Sequence, residues 1–287
     1  MSNYNLKLIQ DVSYQILIDF DDFCAKHNLT YYMTYGTLIG AACHQDFIPW
    51  DDDIDVSMPR EDYDRLLNEL EKDLPAHLSL HHFKNTESYH LNFAKIFNKN
   101  TIIIEKAGQF NYRIGGAYID IFPIDGVGNS YKTAVRKRKK LLLLLPFISI
   151  SYLKLDKKKR PLWKNAAIWF SKLFDTKKLQ YRLEKIVKKN SFQESSYVAM
   201  CVGQYRLGEI LPKEVYGTPV KLKFRDRYFN APQDYDRYLS SIYGDYMRLP
   251  PEEKRISGHN FVYVDLNKSY LDIDKDEIIK QLESDNQ

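Results

Sequence analysis

Between residues 47 and 56 the chain reads Phe47-Ile48-Pro49-Trp50-Asp51-Asp52-Asp53-Ile54-Asp55-Val56, with four carboxylates in five positions framed by large apolar side chains. Like charges this close repel, and such a cluster is costly to fold unless cations or hydrogen-bond donors answer it. Asp53-Ile54-Asp55-Val56 alternates acid with apolar, the pattern of a strand in which residues i and i+2 share a face. A strand here sets Asp53 beside Asp55 and turns Ile54 and Val56 into a core. Two hard oxygen ligands on a rigid element, with positions left open, suit Mg²⁺ held jointly by protein and phosphate. A solvated acidic turn is the ordinary setting for an Asp run, but flanks this apolar argue against it. A calcium loop also fails, because its turn glycine would fall on Val56 and its bidentate glutamate on Asp62.

Around this stretch the periodicities describe an α/β chain with a substantial core. Leu6, Ile9, Val12, Ile16, Leu17, Phe20 and Phe23 recur at helical spacing and predict an amphipathic helix over residues 5–27. Residues 31–34 read as a strand, Gly36 as the start of a turn, and 38–44 as a short helix. A Gly-Thr pair at such a turn lets backbone N–H groups approach a phosphate. Pro59 opens a further helix, with Glu61, Asp62 and Asp64 as helix-end charges. Residues 89–97 and 101–105 read as strands joined by a turn at 98–100. Lys95, among apolar neighbours, reads either as an outward-facing strand lysine or as a phosphate contact balancing the acids. Asp120 stands between Ile119 and Ile121 on a core strand, where a carboxylate is costly unless paired or metal-bound, which makes it the natural third acid. Asp125-Gly126 reads as a turn. Later segments predict a helix over 180–188, a strand over 196–202, strands over 215–229 about a turn at Tyr216-Gly217, and a helix over 234–242.

The net charge of +4 conceals an asymmetry. Residues 131–178 carry 15 Lys and Arg against two Asp, a net of +13, so the remainder of the chain is at −9. Here Arg136 to Lys140 is basic, an apolar run over 141–150 is broken by Pro146, and a second basic run occupies 157–160. Ten apolar residues are too few for a bilayer, which needs about 20. Basic residues flanking Trp163, Trp169, Phe170 and Leu173 suit a segment lying on an anionic membrane surface; the plainer alternative is a pair of packing helices with a solvated basic face. No nucleic-acid recognition motif accompanies the charge. At 44% hydrophobic and 28% charged the composition is that of a globular protein, and the polar start of the chain predicts no cleaved signal. Cys24, Cys43 and Cys201 are odd in number and scattered, which suits a reducing cytoplasm and gives no metal site.

The stretches Gly36-Thr37-Leu38-Ile39-Gly40-Ala41, His44, Ile48-Pro49-Trp50-Asp51-Asp52-Asp53-Ile54-Asp55 and Met58-Pro59-Arg60-Glu61-Asp62-Tyr63 resemble the signature of the LicD family. These are phosphotransferases of the nucleotidyltransferase superfamily that move a phosphocholine-type group from a CDP-alcohol onto a glycan hydroxyl. The resemblance implies that Gly36 and Thr37 form the phosphate-holding element, and that Asp120, in Gly115 to Gly126, completes the metal site and takes the acceptor's proton. It also gives the chain a Lys95 of the kind the family often carries. The closing segment, with Tyr238, Tyr243, Tyr246, Arg255 and His259, is similar to the family's last motif; Arg255 and His259 are candidate substrate contacts, and His259 a candidate base or ligand. The chain departs from the pattern at Cys43, Gln45 and Asp46, where the family usually has Arg, Lys and Gly, and near Phe224, where it tends to have Glu and Arg225 follows here. These departures bear on the donor rather than on the metal chemistry.

The resulting expectation is an α/β (α+β) enzyme with a nucleotidyltransferase-like mixed-sheet core over 1–130, a basic helical insertion over 131–190, and a C-terminal part over 191–287 that completes the cleft. Asp53, Asp55 and Asp120 hold Mg²⁺ or Mn²⁺; Gly36, Thr37, Lys95, Arg255 and His259 contact substrate. The resemblance implies a CDP-alcohol donor such as CDP-choline, a lipid-linked or teichoic-acid-type glycan acceptor, and release of CMP. Residence is expected to be cytoplasmic, peripheral at the inner face of the cell membrane. Two alternatives stay open: a nucleotidyltransferase that moves the NMP itself, and a non-catalytic membrane-surface module. Choline, ethanolamine, ribitol and glycerol all stay open as the alcohol.

Overall fold

The structure, a computed structural model, describes residues 4–87, 89–106, 112–153, 161–203, 205 and 207–284. The first helix, α1 (Leu6–His27), follows the predicted bounds: the Asn5 side chain accepts the Lys7 N–H at its start, and Asn28 ends it at φ 52°. Its apolar stripe is buried, with Ile16, Leu17 and Phe20 fully inside. A short strand β1 (Tyr32–Met33) leads into α2 (Tyr35–Ile39), which continues as one π-helical turn, Gly40–His44. The expected turn at Gly36 is therefore absent. Tyr35 takes the left-handed φ of 48° and Gly36 already lies inside the helix.

Next come β2 (Asp55–Pro59), α3 (Arg60–Arg65), β3 (Leu78–His81), β4 (Ala94–Asn98), β5 (Ile102–Lys106), β6 (Tyr112–Gly115) and β7 (Tyr118–Gly128). They are followed by α4 (Tyr131–Ser151), α5 (Leu162–Ser171), α6 (Thr176–Val187), β8 (Tyr197–Ala199) and β9 (Leu211–Pro212). The chain closes with β10 (Val220–Phe224), β11 (Arg227–Ala231), α7 (Tyr235–Tyr243), β12 (Phe261–Asp265) and α8 (Lys275–Ser284).

Among the described residues the main sheet runs β1-β2-β7-β4-β3, with β8 and β9 added at the far end of β7. β2 and β7 are parallel and the other pairs antiparallel, so this is the expected mixed sheet in an α/β protein. β7 is its long axis. Its first half carries β2 on one side and β4 on the other, and its second half pairs β8. The predicted turn at Asp125-Gly126 does not form. Asp125 is fully buried in β7 and is held by Arg60, whose Nε lies 2.7 Å from Asp125 Oδ1. A buried cation therefore lets the strand continue where the residue types suggested a stop.

The strands predicted over 89–97 and 101–105 do not pair with each other. β4 belongs to the main sheet, whereas β5 forms a second sheet in the order β12-β5-β6. The later hairpin is β10 with β11, turning at Arg225-Asp226, with Arg225 at φ 58°, and not at Tyr216-Gly217. The predicted helices over 180–188 and 234–242 appear as α6 and α7, and the strand over 196–202 is the shorter β8.

The basic segment splits by residue. Arg136, Lys139 and Lys140 are exposed on α4. Arg138 instead points inward and is fully buried: its guanidinium donates to Cys201 O, to Gly203 O at 2.8 Å and to Glu209 Oε2 at 2.7 Å. Lys137 Nζ donates to Gly126 O at 2.8 Å and Val187 O at 2.9 Å. These two cations anchor α4 to the end of β7. A second apolar cluster, with Val127, Ala134, Leu141, Ile148, Leu183 and Ile210, packs around them. The basic run at 157–160 lies outside the described residues. No helix among the described residues is long and apolar enough to cross a membrane.

Candidate active site

Strand register assembles the acids. Asp120 on β7 stands opposite Asp55 on β2 and opposite Lys95 on β4, so the three occupy one row across the sheet. Laterally paired residues in a sheet share a face, so Asp55, Asp120 and Lys95 meet although they are far apart in sequence. Asp53 lies in the extended approach to β2 and points the same way. One oxygen each from Asp53, Asp55 and Asp120 falls within 4.8 Å of the others. Ile54 and Val56, the intervening residues, are fully buried, as the alternation predicts.

The start of β2 is held by Thr37, whose hydroxyl accepts the Asp55 N–H at 2.8 Å, while Asp120 N–H donates to Ile54 O at 2.8 Å. Gly36 has a steric task. A Cβ at this position would overlap Asp51 Oδ2, so any larger residue displaces that carboxylate.

Lys95 is buried, not the outward-facing strand lysine. Its Nζ lies 2.5 Å from Asp120 Oδ1 and 3.5 Å from the centre of the Tyr118 ring. His259 arrives from the opposite end of the chain, just before β12, whose pairing with β5 carries it to the acids. Its Nδ1 lies 2.7 Å from Asp52 Oδ1 and its Nε2 is 3.8 Å from Asp53 Oδ2. The ring stacks on Phe261 at 5.5 Å and meets the edge of Tyr118 at 6.1 Å. Burial works against its protonation, but the Asp52 hydrogen bond and the charges of Asp53 and Asp52 outweigh burial and raise its pKa to about 9. At neutral pH His259 is thus an imidazolium fixed beside the carboxylates, and not a free base.

Arg255 stands further out. Its Nε donates to Pro250 O at 2.9 Å, and its guanidinium lies 5.8 Å from the Trp50 ring centre, with no acid of the cluster among its ion-pair partners. Sequence reasoning passed over Asp52 and Ser257. Asp52 is buried and accepts from both Ser257 Oγ and His259 Nδ1. Its signal was present in the Asp run, but strand alternation assigns it to the face away from Asp53 and gives no reason to join it to residues two hundred positions on.

Burial, compounded by mutual repulsion, pushes the Asp51 and Asp55 carboxyls well above their usual range. Burial also moves Asp53 up to about 6, with His259 acting in the opposite direction, and raises Asp120 against the pull of Lys95. Among the described residues, the cations within ion-pair distance of Asp51, Asp52, Asp53, Asp55 and Asp120 are Lys95 and His259. Ionising all five carboxyls against two cations would leave a large negative excess in a desolvated place, and the raised pKa values express that cost. This all-oxygen donor set fits a hard divalent cation.

Residues 28–141 match the family model described as LicD/FKTN/FKRP, nucleotidyltransferase domain. Over 268 residues the chain is 32% identical to the lipopolysaccharide cholinephosphotransferase LicD of Haemophilus influenzae, covering 90% of this chain and 97% of that protein. A shorter stretch of 49 residues is 43% identical to uncharacterized proteins of Rickettsia prowazekii and Rickettsia typhi, 17% of this chain in each case.

Proposed function

The chain belongs to the LicD family, and from that premise we propose that it is a metal-dependent transferase. It moves a phospho-alcohol group of the phosphocholine type from a CDP-alcohol to a hydroxyl of a cell-surface glycan precursor, such as a teichoic acid, and releases CMP. The observation that carries this reading is the convergence of Asp53, Asp55 and Asp120 on one face of the sheet. The Haemophilus relative supports it by name, as a cholinephosphotransferase of lipopolysaccharide.

Asp53, Asp55 and Asp120 would hold Mg²⁺ or Mn²⁺, which when bound supplies positive charge to the donor's phosphates and aligns them. In the transfer, the acceptor oxygen bonds to the phosphorus that bears the alcohol. The bond from that phosphorus to the bridging oxygen breaks, its electron pair leaves with CMP, and the hydroxyl proton passes to solvent water. Positioning and electrostatics carry most of such a rate. The protein's part is to favour the charged form of Asp120 through Lys95 against the effect of burial, to keep an imidazolium at His259 through Asp52, and to seat the phosphates beside Gly36 and Thr37. Because Lys95 already occupies Asp120 Oδ1, Asp120 suits the role of ligand better than that of base. Arg255, at the rim with Trp50, is assigned to substrate contact.

We assign 131–190 as the insertion that meets the membrane. On α5 and the turn after it, Leu162, Trp163, Trp169, Phe170 and Leu173 are each at least half exposed, among lysines. Amphipathic aromatic side chains with basic neighbours suit an anionic lipid surface, where a lipid-linked acceptor resides. The protein would then work as a peripheral enzyme at the inner face of the cell membrane.

The test is a screen of CDP-choline, CDP-ethanolamine, CDP-ribitol and CDP-glycerol with Mg²⁺ or Mn²⁺ and a glycan acceptor, reading the nucleotide product. CMP is expected. Pyrophosphate in a parallel reaction with CTP would instead mark a nucleotidyltransferase. No product and no thermal shift with any donor would reduce the chain to a binding module.

A further inference from the structure

Beside the carboxylate row, on the far side of Lys95 and Tyr118, lies a pocket of about 260 Å³. Glu105 of β5, Arg113 of β6, and Tyr89 and His90 from the segment before β4 are among the residues that line it. The pocket is connected to the site: Lys95 bonds Asp120, and the Tyr118 ring meets His259.

Three polar atoms of its lining, Tyr89 Oη, His90 Nε2 and Tyr118 Oη, are buried with no hydrogen-bond partner among the described residues. Tyr118 is only 7% exposed. An unsatisfied buried polar group costs about 1–3 kcal/mol, so three in one pocket call for something to bond to. Arg113 Nη1 meanwhile holds Glu105 at 3.2–3.3 Å, presenting a planar donor beside a planar acceptor.

Size and charge narrow the occupant. The pocket is smaller than the 300–1,000 Å³ of sites for drug-sized molecules, so it suits a single six-membered ring better than a whole CDP-alcohol. A quaternary ammonium is disfavoured. Lys95 already covers the Tyr118 face, and Arg113 adds a second cation. Burial first, and then these two charges, hold the His90 imidazole neutral, with its pKa lowered to about 3. Neutral donor–acceptor groups, tyrosine rings and an Arg–Glu pair together match vicinal hydroxyls and the C–H face of a sugar.

We propose that this pocket holds a pyranose ring of the acceptor glycan, its hydroxyls meeting Tyr89, His90, Tyr118 and the Glu105–Arg113 pair, so that a free hydroxyl is presented past Lys95 toward Asp120. The alcohol end of the donor then lies elsewhere. The assignment rests on the transferase reading above for the word acceptor, but the binding site can be tested apart from it.

Two measurements serve. Saturation-transfer NMR with methyl hexopyranosides, choline and CMP is run on the wild-type protein and on Tyr89→Phe/Arg113→Gln, with thermal midpoints checked for both. At least one hexopyranoside should give a signal that falls at least fivefold in the variant, while the CMP signal persists. In steady-state transfer the variant's KM for the glycan acceptor should rise at least fivefold, against less than twofold for the CDP-alcohol. Hexopyranoside signals that are absent or unchanged in the variant, or a choline signal lost in their place, would overturn the proposal. If the pocket binds sugar but no CDP-alcohol yields CMP, the transferase reading fails and the sugar site stands.

Discussion

Asp53→Asn separates a metal site from a merely acidic loop, because the two predict opposite balances of stability and activity. Asp53 is mostly buried, with its side chain 15% exposed, and its folded pKa is raised from 3.8 to about 6. Between these values the folded protein holds a proton that the unfolded chain has lost. Metal-free stability therefore falls as pH rises through about 6, and the full penalty is present above it. A shift of about 2 units corresponds to about 3 kcal/mol at 1.36 kcal/mol per unit. Part of the relief is offset, because the neutral amide in the variant no longer attracts the imidazolium of His259, which lies 3.8 Å from the Asp53 carboxylate. The metal-free variant should then gain about 1–2 kcal/mol at pH 7.5, or roughly 2–6 °C in thermal midpoint for a chain of this size. Below pH 4 the two proteins should melt nearly alike. Adding Mg²⁺ or Mn²⁺ should raise the wild-type midpoint and leave the variant's almost unmoved, and transfer should fall at least 100-fold. The measurement is a set of thermal melts from pH 4 to 8, with EDTA and with metal, alongside CMP release. A variant that melts lower than wild type without metal, or that keeps near-normal transfer, would refute the repulsion argument and the ligand assignment respectively.

Four further outcomes follow from other contacts. Lys95→Met removes the cation 2.5 Å from Asp120, so Mn²⁺ should bind more tightly by calorimetric titration even as transfer falls at least tenfold. Glu209→Gln leaves the fully buried Arg138 without its carboxylate; the expected loss is about 3–5 kcal/mol in denaturant melts, and Arg138→Met/Glu209→Leu should recover much of it. Gly36→Ala forces Asp51 aside, which should cut kcat at least tenfold with a midpoint change of only a few degrees. Trp163→Ser/Trp169→Ser removes two side chains that are 69% and 59% exposed; sedimentation with anionic vesicles should drop severalfold and, in the wild type, weaken as salt is raised.

Much of the site could be read in one dimension because its signals are local. The alternation at Asp53-Ile54-Asp55-Val56 and the isolated Asp120 between two isoleucines both require a buried acid, and a buried acid requires a partner. The same reasoning went astray where a distant residue changes the answer. Asp125-Gly126 reads as a turn until Arg60 is placed against it. Lys137 and Arg138 read as part of a solvated run until Glu209 and four backbone carbonyls turn them inward.

Residue order alone therefore settled that this chain builds an α/β core with an acidic face, since side-chain spacing dictates which positions can be buried together. Tertiary packing alone decided which cations answer those acids. Lys95 meets Asp120 through the pairing of β4 with β7, and His259 meets Asp52 through the pairing of β12 with β5. Both depend on strand registers between segments far apart in the chain, and spacing along a sequence carries no measure of distance across a sheet.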